Sequence, residues 1–259
     1  MTTGMTDARG VPVTSEFTPG GYRYIPAVFQ YSGGVAAQPG YAIQRVRFHD
    51  TVPLTEGFKR IAAYVTARGR PLTAFCACEL RSSAPWDDAG FLAFNKIYVT
   101  TLAEWGIFDG TRNPVARSNL CPSIDPPREE SFHAFSFTVE ASDAAPTFIN
   151  AGGAEARPGS EPYAQRTVRH GETSAEAMTE KARFVITEQE RRMGMLGLGW
   201  RDSTATQVYT VHDIGPFFAD ELVRRGAARA GITLHYHRPP IRDLDYEMDC
   251  RGVRTEHII

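Results

Sequence analysis

Between residues 54 and 68 apolar side chains recur at helical spacing, as Phe58, Ile61, Ala62 and Val65, and between 174 and 195 the period returns as Met178, Ala182, Val185 and Ile186. Positions three and four apart share one face of an α-helix, so each segment predicts an amphipathic helix. Thr55 is expected to cap the first and Thr173 or Ser174 the second, because a side-chain oxygen there accepts from an otherwise unpaired amide. Short runs rich in aromatic and apolar residues predict strands at 72–80, 115–121 and 132–140, and again at 203–211, 232–237 and 244–250. A second helix is expected in each half, at 87–105 and at 216–230.

These elements come in the same order twice, and a local match supports a duplication. Val28-Phe-Gln-Tyr-Ser-Gly-Gly-Val-Ala-Ala-Gln-Pro-Gly40 aligns without gaps with Thr147-Phe-Ile-Asn-Ala-Gly-Gly-Ala-Glu-Ala-Arg-Pro-Gly159, with Phe, Gly, Gly, Ala, Pro and Gly identical. Each copy is expected to open with a short strand closed by Gly-Gly, pass through a Pro-Gly loop, and enter its helix. The result is an α+β chain of two tandem units, 1–140 and 141–259, each a mixed sheet with two helices on one face. Ala141-Ser-Asp-Ala-Ala-Pro146 is small and polar, and serves as the linker.

Composition narrows the function. The 259 residues carry 22% charged and 42% hydrophobic side chains, with a net charge of -2, so no basic field exists to track nucleic acid. No apolar run reaches the roughly 18 residues of a membrane-spanning helix. The first ten residues lack the apolar core of a signal peptide, which predicts a cytoplasmic protein. Cys76 and Cys78 stand two apart in an apolar stretch, a poor geometry for a mutual bridge, so reduced thiols are expected throughout. His235 and His237 share one face of a strand, yet no further ligand follows at a recognised spacing, and neither a metal nor another cofactor is expected.

Four landmarks then occur in order: Phe29-Gln-Tyr-Ser-Gly-Gly34, a helix ending Ala67-Arg-Gly69, Phe94-Asn-Lys-Ile-Tyr98, and Asn113-Pro-Val-Ala-Arg-Ser118. The chain thereby resembles the Rid/YjgF imine deaminase superfamily, with its Ser-Gly-Gln turn, Ala-Ala-Gly helix end, Asn-x-x-Tyr helix and Pro-Ala-Arg-Ser strand. Ser131-Phe-His-Ala-Phe135 and His237-Arg-Pro-Pro240 in a fused tandem chain resemble the larger 2-aminomuconate deaminases of aminophenol and nitroaromatic breakdown. The resemblance implies a chorismate-mutase-like fold, a homotrimer, clefts between units, and cofactor-free, water-driven release of ammonia from an enamine or imine of a small carboxylate. Two other readings stay open: a chorismatase-like enzyme releasing pyruvate, and a protein that binds a small carboxylate without turning it over.

Candidate chemistry follows from residue type and place. Arg117 stands on a strand between apolar neighbours, where an unpaired guanidinium is costly and a carboxylate partner is required. That partner is an internal Asp or Glu, or, as the resemblance implies, the substrate. His133 lies where the superfamily usually places a glutamate, and is either an acid/base or a hydrogen-bonded core residue. Glu247, in Asp245-Tyr-Glu-Met-Asp-Cys250, takes the corresponding place in the second copy, or belongs to a solvent-facing charged strand. A composite cleft with Arg117 facing Glu247 is the resulting hypothesis. Ser32, Gly33 and Gly34 let a ligand approach the backbone or serve a tight turn. Tyr22 walls the pocket or fills the core, and Arg81, Arg238 and Arg242 stay open as a second carboxylate anchor.

Overall fold

Alternation of inward and outward side chains builds two mixed sheets, which a computed structural model describes over residues 13–142 and 144–259. The first ten residues and position 143 of the linker, on which two of the expectations rest, lie outside the described residues. In chain order the elements are β1 (Ser15–Phe17), β2 (Tyr22–Tyr24), β3 (Gly34–Ala37), β4 (Tyr41–Pro53), α1 (Leu54–Ala67), β5 (Phe75–Arg81), α2 (Asp88–Glu104), β6 (Ala116–Pro122) and β7 (Ser131–Glu140). There follow β8 (Phe148–Ala154), α3 (Tyr163–Arg166), α4 (Ala175–Met195), β9 (Ala205–Tyr209), α5 (Gly215–Phe217), β10 (Ile232–His235), β11 (His237–Arg238), β12 (Glu247–Gly252) and β13 (Glu256–Ile258). Among the described residues no helix is long and apolar enough to cross a membrane.

The duplication is visible as topology. The six-stranded sheet runs β11-β6-β5-β7-β4-β13 and the seven-stranded one β1-β2-β3-β8-β12-β9-β10. Within them, β6-β5-β7-β4 and β10-β9-β12-β8 are the same arrangement, each wound strand, helix, strand, helix, strand, strand. The expected α+β tandem fold is therefore present. The 28–40 and 147–159 match, however, does not align equivalent strands: β4 holds the place in its sheet that β8 holds in the other. Its first member, β3, instead pairs antiparallel with β8, Gly34 opposite Asn150. Each sheet thus takes strands from both halves, since β11 edges β6 and β13 runs parallel to β4.

Local physics explains the helices and where expectation missed. Phe58, Ile61 and Val65 of α1 pack on the outer face of the six-stranded sheet with Phe132, Phe135 and Tyr98. The helix starts two residues earlier than a Thr55 cap requires: Pro53 takes the cap position and no side chain bonds there. Ser174 does cap α4, accepting from Ala177 N at 3.2 Å, and Asp87 caps α2, accepting from Gly90 N at 2.7 Å. The expected helix at 216–230 is instead a short turn leading into a π-helix at Phe218–Val223. Its buried side chains Phe217, Leu222 and Ala227 lie five apart, and Ala227 N bonds back five residues to Leu222 O, so the wide turn keeps all three on the sheet. The expected strand 232–237 breaks after His235, and His237 crosses to the other sheet.

The sheets face each other through small and aromatic side chains, Tyr22, Tyr24, Val35 and Ala151 from one and Ile43, Cys76, Ala77 and Ala116 from the other. All four cysteines are buried free thiols. The helices cover the two outer faces, leaving a cleft where β6 of one sheet meets β8, β12 and α4 of the other.

Candidate active site

Strand alternation sends Arg117 and Asn119 of β6 to the same side. Arg117 is 3% exposed and donates from Nη2 to Asn95 Oδ1 of α2 at 2.6 Å. Its Nη1 has no partner, and neither does Nδ2 of Asn119. No carboxylate pairs with Arg117 among the described residues, which removes the internal salt bridge as an explanation. The guanidinium instead sits among ring faces, 4.7 Å from the centroid of Tyr98 and 5.1 Å from that of Tyr31. Such contacts soften but do not neutralise a buried cation. Two orphaned donors on one strand face call for an acceptor from outside the chain.

The space in front of them is a cavity of about 120 Å³, lined by both residues together with Tyr31, Phe91, Gly152, Gly153, Phe184, Arg192 and Glu247. It opens into a mouth of about 550 Å³. A water takes up roughly 30 Å³ in the liquid, so the inner space suits a small organic acid. Glu247 begins β12 and is 4% exposed. Burial, followed by the nearby carboxyls of Asp249 and Glu155, pushes its pKa well above the usual 4.5, so it is held as the neutral acid. The structure therefore brings Arg117 and Glu247 together in one cavity of one chain.

The carboxyl of Glu247 reaches the cavity past Gly152, where a Cβ would collide with its Oε1 and crowd Ser118. Backbone anchors hold the start of its strand. Glu155 accepts from Asp245 N at 2.6 Å and Tyr246 N at 3.1 Å, and buried Lys181 bonds to both Glu155 at 3.3 Å and Asp245 at 2.6 Å. Behind it, Asp249 accepts from Ser118 Oγ, Gln207 Nε2 and Tyr209 OH within 2.8 Å, which ties β6 of one sheet to β12 of the other. Two residues apart on one strand, Glu247 and Asp249 face the junction of the sheets.

The other sequence candidates are placed elsewhere. His133 is the extra residue of a bulge in β7, where Ala134 opposes Glu79 and Phe132 opposes Leu80. Burial, then the guanidinium of Arg81, lowers its pKa to about 3, so it is uncharged at neutral pH, and it does not line the cavity. Ser32 is fully buried and its amide donates to Val115 O at 2.8 Å. Gly34 allows the close approach of β8, a Cβ there meeting Ile149 O at 3.1 Å, while Gly33 borders only the mouth. Tyr22 lies in the core between the sheets and donates to Phe75 O at 3.2 Å. Arg81, Arg238 and Arg242 do not line the cavity either.

Sequence reasoning passed over Asn119, Gly152, Gly153 and Arg192. The first was readable, since a residue two places beyond Arg117 on a strand shares its face. The repeat presents both glycine pairs equally, and the pair that lines this cavity is Gly152 and Gly153. Arg192 stands in sequence among Glu188, Glu190 and Arg191, where periodicity does not set it apart. His235 and His237 are not joined by a third potential ligand: among the described residues no group of three His, Cys, Asp or Glu side chains could hold a metal ion.

The profile of the family described as 2-aminomuconate deaminase CnbZ matches residues 14–257. A Comamonas testosteroni protein described as 2-amino-5-chloromuconate deaminase is 52% identical over 251 residues, 96% of this chain and 100% of that protein. Among solved structures, a chorismatase superposes on 88% of this chain and 79% of its own with a TM-score of 0.44 at 12% identity. The YjgF protein of E. coli covers 42% of this chain and 80% of its own with a TM-score of 0.30 at 18% identity.

Proposed function

This chain belongs to the family of 2-aminomuconate deaminases described as CnbZ, and from that premise we propose that it hydrolyses the C–N bond of 2-aminomuconate or a substituted analogue in aromatic breakdown. The observation that carries the proposal is a buried guanidinium with no anion of its own, sharing a small cavity with a buried carboxylic acid. Arg117 and Asn119 grip the carboxylate next to the reacting carbon. Their fixed donors set its orientation before reaction.

Glu247 starts as the acid. It gives its proton to the carbon end of the enamine, and the amine-bearing carbon becomes an iminium. Its carboxylate then takes a proton from water as the water oxygen bonds to that carbon. In the resulting carbinolamine, Glu247 protonates the nitrogen, the C–N bond breaks with its electron pair leaving on ammonia, and the hydroxyl proton returns to the carboxylate. Enamine and water become a 2-oxo acid and ammonia, and the enzyme ends as it began. A raised carboxyl pKa suits such proton traffic near neutral pH, which is typically worth about 10²- to 10⁴-fold.

Of the two acid/base candidates, Glu247 is favoured by its place at the cavity and His133 is not. Arg117, Asn119 and Glu247 all reach this cavity from one chain. The test is ammonia release from 2-aminomuconate by the purified protein. Release that disappears in Glu247→Gln supports the reading. Thermal stabilisation by the compound without ammonia would replace it with a binding protein.

A further inference from the structure

We propose that Arg192 is a second anion subsite, so that the cavity takes a dicarboxylate, one end on Arg117 and Asn119 and the other on Arg192. The assignment rests on this cavity being the substrate site. It names a residue that carries the far end of the ligand.

Three arginines other than Arg117 line the cavity or its mouth, and their bonding separates them. Arg166 is half-buried, donates to the carbonyls of Glu161 at 3.1 Å and Arg157 at 2.7 Å, and lies 3.7 Å over the ring of Tyr163. Arg191 is directed to solvent and holds Glu188 with both Nε and Nη2 at 2.7 Å. Arg192 shares that same Glu188 through Nε at 3.0 Å. One carboxylate therefore serves two guanidiniums, and a positive charge is left over.

The surplus lies on the inner residue. Arg192 side-chain exposure is 14% against 49% for Arg191. Its Nη1 donates to Ala151 O at 3.0 Å, a neutral acceptor that fixes the group without cancelling its charge. Nη2 makes no hydrogen bond among the described residues. The guanidinium lies against Gly153, where a Cβ would be in contact with both terminal nitrogens at 3.4 Å. The two glycines of the second copy thus lie beside an acid and a cation, Glu247 at Gly152 and Arg192 at Gly153.

With Glu247 neutral, the inner cavity holds the cations Arg117, Arg166 and Arg192 against the single anion Glu188. Apolar side chains form part of the remaining wall, among them Phe91, Phe184, Ile241 and Leu244. An excess of two cations in a cavity partly walled by apolar side chains matches a dianion whose charges are joined by a hydrocarbon chain. A monoanion would leave one guanidinium unanswered.

The test uses two unreactive hexadienoates of the same carbon skeleton. Muconate has a carboxylate at each end, and sorbate has a methyl group at one. Calorimetric titration of the whole protein should give muconate about 10- to 100-fold tighter binding than sorbate, as one charged hydrogen-bonded contact implies. Arg192→Met should bring the two ligands to within a few-fold of each other, and Arg192→Lys should keep part of the preference. Equal binding of both ligands by the unaltered protein overturns the proposal without any variant, and so does a full preference kept in Arg192→Met. Ammonia release with no preference for muconate leaves the deaminase and removes the subsite. A muconate preference lost in Arg192→Met, with no ammonia from 2-aminomuconate, leaves the subsite and removes the deaminase.

Discussion

Replacing Arg117 by methionine separates a functional arginine from a structural one, because the two roles predict stability changes of very different size. A guanidinium in a structural ion pair leaves a buried anion behind when removed, which destabilises by about 3–5 kcal/mol. Arg117 leaves no anion behind: its one side-chain partner is the amide oxygen of Asn95. Removing it forfeits contacts with the rings of Tyr31, Phe91, Phe94 and Tyr98, worth roughly 0.5–2 kcal/mol each. It also relieves a desolvation penalty of several kcal/mol. The two effects nearly offset, so the expected stability change is within about 1 kcal/mol, or about 2–4 °C in a chain of this size.

Catalysis should respond very differently. Two charge-assisted hydrogen bonds to the substrate carboxylate, at about 1.5–3 kcal/mol each, sum to roughly 3–6 kcal/mol, a loss of about 10²- to 10⁴-fold in kcat/KM. The assay pairs thermal denaturation with initial rates of ammonia release over a range of substrate concentrations. A melting temperature lowered by 10 °C or so (about 3 kcal/mol on the same scale), with kcat/KM retained in the folded fraction, would refute the reasoning and make the arginine structural.

Glu247→Gln should abolish most turnover, by about 10²-fold or more, and also flatten the pH profile of stability. The folded pKa is raised above 4.5, so the stability this group supplies is complete below that value and is lost as pH rises through the folded pKa; melting curves that fall in parallel for both proteins count against a buried neutral acid. Gly152→Ala forces the Glu247 carboxyl aside and should lower kcat at least about tenfold; unchanged kinetics in a folded variant would show that the carboxyl has room to move. Lys181→Met strands Glu155 and Asp245 in the core and should lower unfolding free energy by about 3–5 kcal/mol in urea titrations. Adding Glu155→Gln to it should recover part of that loss, and no recovery would deny the coupling.

Much of the scaffold was legible in the chain because periodicity reports which side of an element faces inward. The 3.6-residue stripe of Phe58, Ile61 and Val65 and the cap at Ser174 are local facts, and α1 and α4 follow from them. So does the placing of Arg117 on an inward strand face, where its charge had to be answered. The long strand β4 escaped because Arg45 and Arg47 make its sequence look polar. Arg45 is nonetheless buried, clamped at 2.6 and 2.8 Å by Glu79 from β5 of the same sheet.

Periodicity is silent on what an inward face meets. Pairing of β3 with β8, and of β13 with β4, joins segments more than a hundred residues apart, and their hydrogen bonds are identical in kind to those of any other partner. The tertiary structure alone decided that Arg117 finds no acid, that Glu247 stands in the same cavity, and that the glycines lining that cavity are Gly152 and Gly153 rather than Gly33 and Gly34. The physical reason is that side-chain type sets what a group requires, a counter-charge or a proton partner, whereas the long-range packing of two sheets sets which group is close enough to supply it.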